Sequence, residues 1–456
     1  MSLELKNPLE GKKHLHFIGI GGSGMFPIVQ ILHSRGYIIT GSDNNESDIV
    51  KLVRGLGIPV YMGQRAENIK DADLIVYTSA IMEDNPELIA ARASGVPLLE
   101  RNDVLGYITS RYDNTVCVCG THGKTTTTAM LTQILMDAGV DPTAVIGGKL
   151  PRIGGYGRVG KSNTMVCESC EFSDHFLKLH PDIAVILNID EDHLDYFKTL
   201  ENIIRSFRIF ADMATQLLIY NGDDQNTRKA VEGLSKKTVT FGFSERNDYY
   251  PRDIVSLGGT RQSFELIYKK DKIANIKLNV AGRHNVLDAV AACAAALSCG
   301  VKPEQLAGPL SEFNGAGRRF ELLGEVNGIT IVDDYAHHPT ELRVTLEAAK
   351  KLDFKKVWAV FQPFTYSRTA LLFDEFVEVL QIADRVVLSE IMGSREKNTY
   401  HIYSKDLCEK MPGSVWFNTF EEIKEYVLAN AEPGDLVITL GCGDIYKAAK
   451  LMLGRQ

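Results

Sequence analysis

Twice in this chain a short β-rich run breaks into a glycine loop that leads straight into a helical stretch. The first is Gly19-Ile20-Gly21-Gly22-Ser23-Gly24, the second Gly120-Thr121-His122-Gly123-Lys124-Thr125. A strand, a tight glycine turn and a helix bring unpaired N–H groups and the positive end of a helix dipole to one spot, so each junction is shaped to receive phosphate. Two such junctions about a hundred residues apart demand separate α/β sheets. That feature rules out an all-helical or all-β chain.

The first loop has the G-x-G-x-x-G spacing, and Asp43 ends the next β-rich run 19 residues after Gly24. Its glycines permit the turn and let backbone approach a diphosphate. The residues do not say whether that diphosphate belongs to NAD or to a UDP compound. The second loop resembles a shortened P-loop, with Val118 where the full pattern has its first glycine. Lys124 can still reach β- and γ-phosphates, and the Thr125 hydroxyl can ligate Mg²⁺. Two phosphate loops suggest two nucleotides with distinct tasks, whereas an NAD-dependent oxidoreductase would leave the second idle.

The rest of the chain repeats the alternation. HLHFIGI (14–20), YIIT (37–40) and LIVYT (74–78) read as strands of a first parallel sheet, and TVCVC (115–119), TMVCE (164–168) and DIAVILN (182–188) as those of a second. ELIYKK (265–270) and KIANIKLNV (272–280) read as an antiparallel hairpin at that sheet's margin, followed by a helix from Asn285 to Ser298. GITIVDD, KVWAVF, DRVVLSE and DLVITLG form a third set after residue 320. At about 150 residues per domain, 456 residues make three, with boundaries expected at 1–108, 109–317 and 318–456. The expected class is α/β, with Rossmann-like first and third domains around a P-loop ATPase-like centre.

Composition narrows the partners. A net charge of −8 offers no basic field for nucleic acid, and no apolar run approaches the roughly 18 residues of a membrane span. Residues 1–13 lack the apolar core of an export signal, and the cysteines lie mostly in apolar stretches, which points to a reduced, cytoplasmic setting. Cys167 and Cys170 make one C-x-x-C without the second pair that a zinc site needs.

Acids and bases gather at strand ends, where open parallel sheets bind ligands. Glu168 ends one run and Asn188-Ile189-Asp190-Glu191-Asp192-His193 another, making Glu168 and His193 candidates for Mg²⁺ beside Thr125. Arg318 and Arg319 stand at the second boundary, where a guanidinium could clamp a moving phosphoryl group or serve as a basic linker pair. Asp333-Asp334-Tyr335-Ala336-His337-His338 follows a strand, and Pro339 can open the next helix. Gly441-Cys442-Gly443-Asp444 ends the last strand.

Taken in order, HFIGIGGSGM, GTHGKTTT, NIDEDH, GRHN, FNGAGRRFE and DDYAHHPTE resemble the Mur ligase family over nearly the whole chain, and among its members the one that opens the amino-acid ladder of peptidoglycan. The resemblance implies an ATP- and Mg²⁺-dependent ligase that joins L-alanine to the lactyl carboxylate of UDP-N-acetylmuramate through an acyl phosphate. A relative using another amino acid or a murein peptide is the alternative. It further implies that the domains close before chemistry. The UDP-sugar falls to Gly21, Gly22, Ser23, Gly24, Met25, Asp43, Ser79 and His122. ATP falls to Gly120, Thr121, Gly123, Lys124, Thr125, Thr126, His284, Asn285, Arg319 and Asp334, and metal to Thr125, Glu168 and His193. Tyr335, His337 and Arg368 border the amino acid, with Lys124, Arg319 and His337 in catalytic roles.

The chain departs from the family pattern in places. Phe364 and Thr365 replace a His and an Arg of some relatives, leaving Arg368 alone for the alanine carboxylate, and Gln64 stands where a histidine is often found. Arg208 occupies the place of a lysine that later-acting members carbamylate, so no carbamate is expected. Monomer and homodimer are both compatible with these residues.

Overall fold

The computed structural model describes residues 7–258, 260–393 and 396–455, so part of the N-terminal segment read for export signals lies outside the described residues. Three sheets organise it, distributed over two compact units: one runs to Ser256 and includes Gln262–Asn279 and Arg283–Phe313, the other is built mainly from Asn314 onward.

In the first unit, five parallel strands lie in the order Val60–Met62, Ile38–Asp43, His14–Ile18, Leu74–Tyr77 and Leu98–Glu100. Strand order reverses beside His14–Ile18, the place where an open sheet leaves a crevice for ligand. A buried polar chain fixes this region: His16 Nε2 lies 2.7 Å from Glu87 Oε1, and the Ser42 hydroxyl donates to Glu87 Oε2 at 2.6 Å. Ser42 O in turn accepts Gly19 N and Ile20 N, which locks the start of the glycine loop to the neighbouring strand.

The second sheet of this unit has ten strands. Its centre is parallel, with Asn114–Cys119 between Ile183–Ile186 and Thr164–Glu168. The expected hairpin is present at one margin as Arg261–Tyr268 and Asp271–Leu278, turning through Lys269 and Lys270 at φ +47° and +81°. At the other margin, Thr143–Leu150 and Gly155–Arg158 form a second antiparallel pair that the residue pattern did not announce. The two sheets share one apolar core, including Phe17, Phe26, Val104, Cys117, Phe176 and Phe207. The helix expected from Asn285 begins at Arg283 and runs to Ser298, taking Arg283, His284 and Asn285 into its first turn.

The second unit holds six strands in the order Glu321–Val326, Ile329–Asp334, Leu436–Leu440, Val357–Phe361, Arg385–Ser389 and Val415–Phe417. All neighbours are parallel except the first pair. The central strand Leu436–Leu440 is buried on both faces, as a sheet covered by helices on each side requires, and its one polar residue, Thr439, donates its hydroxyl to Asp333 Oδ1 at 2.6 Å. Among the described residues no helix is long and apolar enough to cross a membrane.

Candidate active site

The shortened P-loop connects strand Asn114–Cys119 to helix Lys124–Asp137. Val118 is inside the strand and fully buried, so the loop proper starts at Gly120. Gly123 caps the helix at φ +84°, and a Cβ there would also stand 3.1 Å from Asp288 Cγ; both facts require glycine. Asn188 splints the loop: its backbone carbonyl accepts Thr121 N at 3.1 Å, its side-chain oxygen accepts His122 N at 2.8 Å, and its amide donates to His122 O at 3.1 Å. Asp190 N donates to Thr121 Oγ1 at 2.9 Å. The NID segment therefore shapes the phosphate loop from the neighbouring strand end.

Lys124 folds back onto this loop. Its Nζ donates to Gly120 O at 2.5 Å and Thr121 O at 3.0 Å and reaches Glu171, whose side chain is 3 % exposed, at 3.0 Å. Burial works against the lysine's charge, but Glu171 more than offsets it, and the pKa stays above the ordinary lysine value.

One helical position on, the Thr125 hydroxyl donates to Glu168 Oε1 at 2.8 Å, while Glu168 Oε2 accepts Gly147 N at 2.6 Å. A side chain at Gly147 would invade this carboxylate, its Cβ 2.7 Å from Cδ. A hydroxyl and a carboxylate so close, at a phosphate loop, form an oxygen donor pair suited to a hard divalent cation. His193, at φ +53°, has its ring 4.8 Å from that of Phe172 and its Nε2 3.6 Å from Asp192 Oδ2. Among the described residues it makes no hydrogen bond to Thr125 or Glu168. The Cys167 side chain is buried beside Cys117, and burial lifts the Cys170 thiol to about 11, so the C-x-x-C offers no thiolate pair.

At the first glycine loop, Asp43 Oδ2 accepts Gly21 N at 2.9 Å and Oδ1 accepts Asn45 N at 2.9 Å. Ser79 is exposed just beyond strand Leu74–Tyr77. Gln64 accepts from the amides of Asn44 at 3.0 Å and Asn85 at 2.6 Å, a carboxamide cluster at the same sheet edge. His284 is exposed and Asn285 buried at the opening of helix Arg283–Ser298.

In the second unit the paired arginines separate in role. Arg318 is turned inward, its Nε 2.9 Å from Asp333 and its Nη atoms on the carbonyls of Gly441 and Gly443 at 2.5 and 2.8 Å. The rings of Tyr335 and Tyr446 lie 5.0 and 4.8 Å from its Cζ. It is a structural rivet for the Gly441–Asp444 loop rather than a phosphate clamp. Arg319 sits between two left-handed residues, Arg318 at φ +61° and Phe320 at φ +48°, with its Cζ 5.1 Å from the Tyr335 ring. Such strained backbone persists where its surroundings over-determine it; here Phe320 N donates to Asp334 Oδ2 and Tyr335 N to Arg318 O, both at 2.7 Å.

Asp334 is buried, and loss of water pushes its carboxyl up to about 6 against the pull of Arg319 and two N–H donors. His337 Nδ1 lies 3.1 Å from Glu341, and its ring meets those of Tyr335 and Phe364 edge-on at 5.5 and 6.5 Å. Pro339 opens helix Pro339–Lys350 as expected. Arg368 is half-buried, and among the described residues its guanidinium makes no hydrogen bond or ion pair; Thr365 serves as the N-cap of its helix.

Family models match residues 14–113 as a Mur ligase family catalytic domain, 118–296 as a Mur ligase middle domain, and 318–443 as a Mur ligase glutamate ligase domain. The chain belongs to the Mur ligase family. It is 44% identical to the UDP-N-acetylmuramate–L-alanine ligase of Agathobacter rectalis, over 96% of this chain and 97% of that one. It is 43% identical to the ligase of the same name from Caldanaerobacter subterraneus, over 98% of each. Among solved structures, the UDP-N-acetylmuramate-alanine ligase of Thermotoga maritima superposes with a TM-score of 0.84 at 28% identity, covering 97% of this chain and 98% of that one. A murein peptide ligase from Psychrobacter arcticus gives 0.76 at 25% identity over 97% and 98%.

Within this Mur ligase, Lys124, Thr125 and Glu168 fall into one cluster, as do Asp334, Tyr335 and His337 in the other unit. Glu171, Asn188 and Glu341 were given no individual role by the residue pattern. Asn188 and Glu341 carried a signal: the first sits in NID next to the strand end, the second at the capping-box position of a Pro-started helix. Arg208 is spent on the carbonyls of Ala230 and Glu232, closing a helix end, which accounts for an arginine there.

Proposed function

We propose that this Mur ligase joins L-alanine to the lactyl carboxylate of UDP-N-acetylmuramate with cleavage of ATP to ADP and phosphate. The reading is supported most directly by the similarity, above 40% over nearly the full length, to ligases of that name. In this proposal 1–108 holds the UDP-sugar, 109–317 ATP and Mg²⁺, and 318–456 the amino acid and part of ATP, and the enzyme works in the cytoplasm. A lactyl oxygen attacks the γ-phosphorus, the bond to the β-phosphate oxygen breaks, and ADP leaves. The alanine nitrogen then attacks the acyl carbon, phosphate departs, and the amine gives up a proton.

The obstacle is charge. A carboxylate about 4 Å from each phosphate charge costs roughly 4 kcal/mol per pair at an effective dielectric of 20. Lys124 supplies the fixed cation at the phosphate loop, and Arg319 is assigned a second contact to the transferring group. Mg²⁺ bound through Thr125 and Glu168, with His193 as a further candidate, would neutralise phosphate charge. Asn188, which holds the N–H groups of Thr121 and His122, and Gly123 fix the shape of the loop before ATP arrives. Gly21, Gly22, Ser23, Gly24, Met25, Asp43, Ser79 and His122 are assigned to the UDP-sugar, His284, Asn285 and Asp334 to the nucleoside of ATP, and Tyr335, His337 and Arg368 to alanine.

The experiment is ADP release with ATP, UDP-N-acetylmuramate and L-alanine each omitted in turn, followed by competition among amino acids and an alanyl peptide. Full turnover requires all three substrates; turnover with the peptide in preference to alanine overturns the alanine assignment.

A further inference from the structure

The last glycine of the first loop has no backbone reason to be glycine, since Gly24 is absent from the positive-φ positions of the described residues. Its reason is Arg101. A Cβ on Gly24 would run into the Arg101 guanidinium, with Cζ only 3.0 Å away and Nη1 closer still. Arg101 opens helix Arg101–Thr109 at the end of edge strand Leu98–Glu100, two strands away from the strand that feeds the loop. The close approach is therefore made by the tertiary fold, not by neighbouring sequence.

The guanidinium is held in place from behind. Nη2 donates to Asn102 Oδ1 at 2.9 Å, and Asn102 Nδ2 donates to Glu100 Oε1 at 3.1 Å. Glu100 is itself fixed by Lys178 Nζ and His175 Nε2, each at 3.1 Å. Among the described residues the bond to Asn102 is the one hydrogen bond of this half-buried side chain. A guanidinium has five N–H donors. Nη1 rests against Gly24, two residues before helix Phe26–Ser34; among the described residues Ser23 and Gly24 are the loop positions whose N–H groups no acceptor of the chain takes, and the helix start favours an anion there.

The geometry points to Arg101 as a further binding residue of the ligase, whose guanidinium takes the diphosphate of the UDP-sugar against the glycine loop. This rests on the proposed function, which puts a UDP-sugar at that loop. The planar fork suits two phosphate oxygens at once, and a side chain already oriented by Asn102 gives up little rotamer freedom on binding. Gly24 is then small for the sake of the arginine, and the arginine is placed for the sake of the anion.

The test is calorimetric binding of UDP, UDP-N-acetylmuramate and ADP, separately, to wild type, Arg101→Gln and Arg101→Lys, with Tm recorded for each. Arg101→Gln is expected to weaken UDP and UDP-N-acetylmuramate by a like factor of about tenfold or more, to leave ADP within twofold, and to keep its Tm. Arg101→Lys is expected to recover part of the loss. Weakening confined to UDP-N-acetylmuramate, with UDP unchanged, would move the arginine to the lactyl acid and overturn the proposal. A common fall in all three ligands and in Tm would make it a packing residue and overturn it too. Wild-type protein that binds neither UDP compound would bring down the ligase reading itself, a result separable from both.

Discussion

Lys124 Nζ is bound to Glu171 at 3.0 Å and to the carbonyls of Gly120 and Thr121, so the cation of the phosphate loop is engaged from both sides by oxygen. An arriving phosphate has to take over contacts that the chain itself now makes. Lys124→Ala should therefore cut ADP formation at least a thousandfold, while calorimetry finds UDP-N-acetylmuramate binding within about threefold of wild type. Near-normal ADP release would refute the phosphate-loop assignment.

Glu171 is predicted to compete with the nucleotide for that lysine. Removing a partner from a mostly buried pair costs on the order of 3 kcal/mol, so Glu171→Gln should lower the Tm of the ligand-free protein. With Mg-ADP the lysine gains a phosphate partner in both proteins. The ADP-induced rise in Tm should accordingly be larger in the variant; equal rises would show that carboxylate and phosphate do not share the lysine.

Thr125 and Glu168 are predicted to act together on Mg²⁺, because one hydroxyl and one carboxylate oxygen stand 2.8 Å apart. Thr125→Val should raise the Mg²⁺ concentration for half-maximal rate by about tenfold, and Thr125→Ser should not. Glu168→Gln should show a rise at least as large. A magnesium titration that superposes on wild type for Thr125→Val speaks against the pair.

Much of this was legible in residue order, and the exceptions have physical causes. Both glycine loops could be read because the chemistry dictates the residue types, and central strands such as Ile183–Ile186 and Val357–Phe361 because burial on two faces leaves continuous apolar runs. Edge strands such as Gly155–Arg158 and Glu321–Val326 hid because a strand exposed on one side carries glycine and charge. Glu171 was invisible for another reason. It lies in the irregular segment three residues past strand Thr164–Glu168, just before left-handed Ser173 and Asp174 at φ +53° and +57°, residues that carry no glycine signal. Arg318 and Arg319 were equivalent in residue order; left-handed backbone at Arg318 and Phe320 separates them, and while both guanidinium groups lie by the Tyr335 ring, Arg318 is the one seated on Asp333 and the carbonyls of Gly441 and Gly443.

Arg368 is predicted to carry the alanine carboxylate without help from its loop, since Thr365 is occupied as a helix cap and Phe364 faces the His337 ring. Loss of a charged hydrogen bond costs about 1.5–3 kcal/mol, which is at least tenfold in affinity. Arg368→Ala should raise the KM for alanine by that factor and leave the KM for ATP within twofold. Equal rises in both would detach the residue from the amino acid.

Asp334 gives the second unit a measurable pH signature. Its carboxyl is lifted to about 6, above the ordinary 3.8, chiefly by burial. Between those values the folded chain holds a proton that the unfolded chain has released. This residue's contribution to stability is therefore full below about pH 4 and is lost as pH rises through about 6, falling by roughly 1.4 kcal/mol for each pH step of one across that window. Asp334→Asn cannot titrate. The lost acceptor for Phe320 N and Ala336 N penalises the variant at every pH, so the informative quantity is the trend. The Tm of wild type minus that of the variant should be larger at about pH 4.5 than at about pH 7. A gap that widens with rising pH would mean that Arg319 and the two N–H donors stabilise the ionised carboxylate by more than burial costs it.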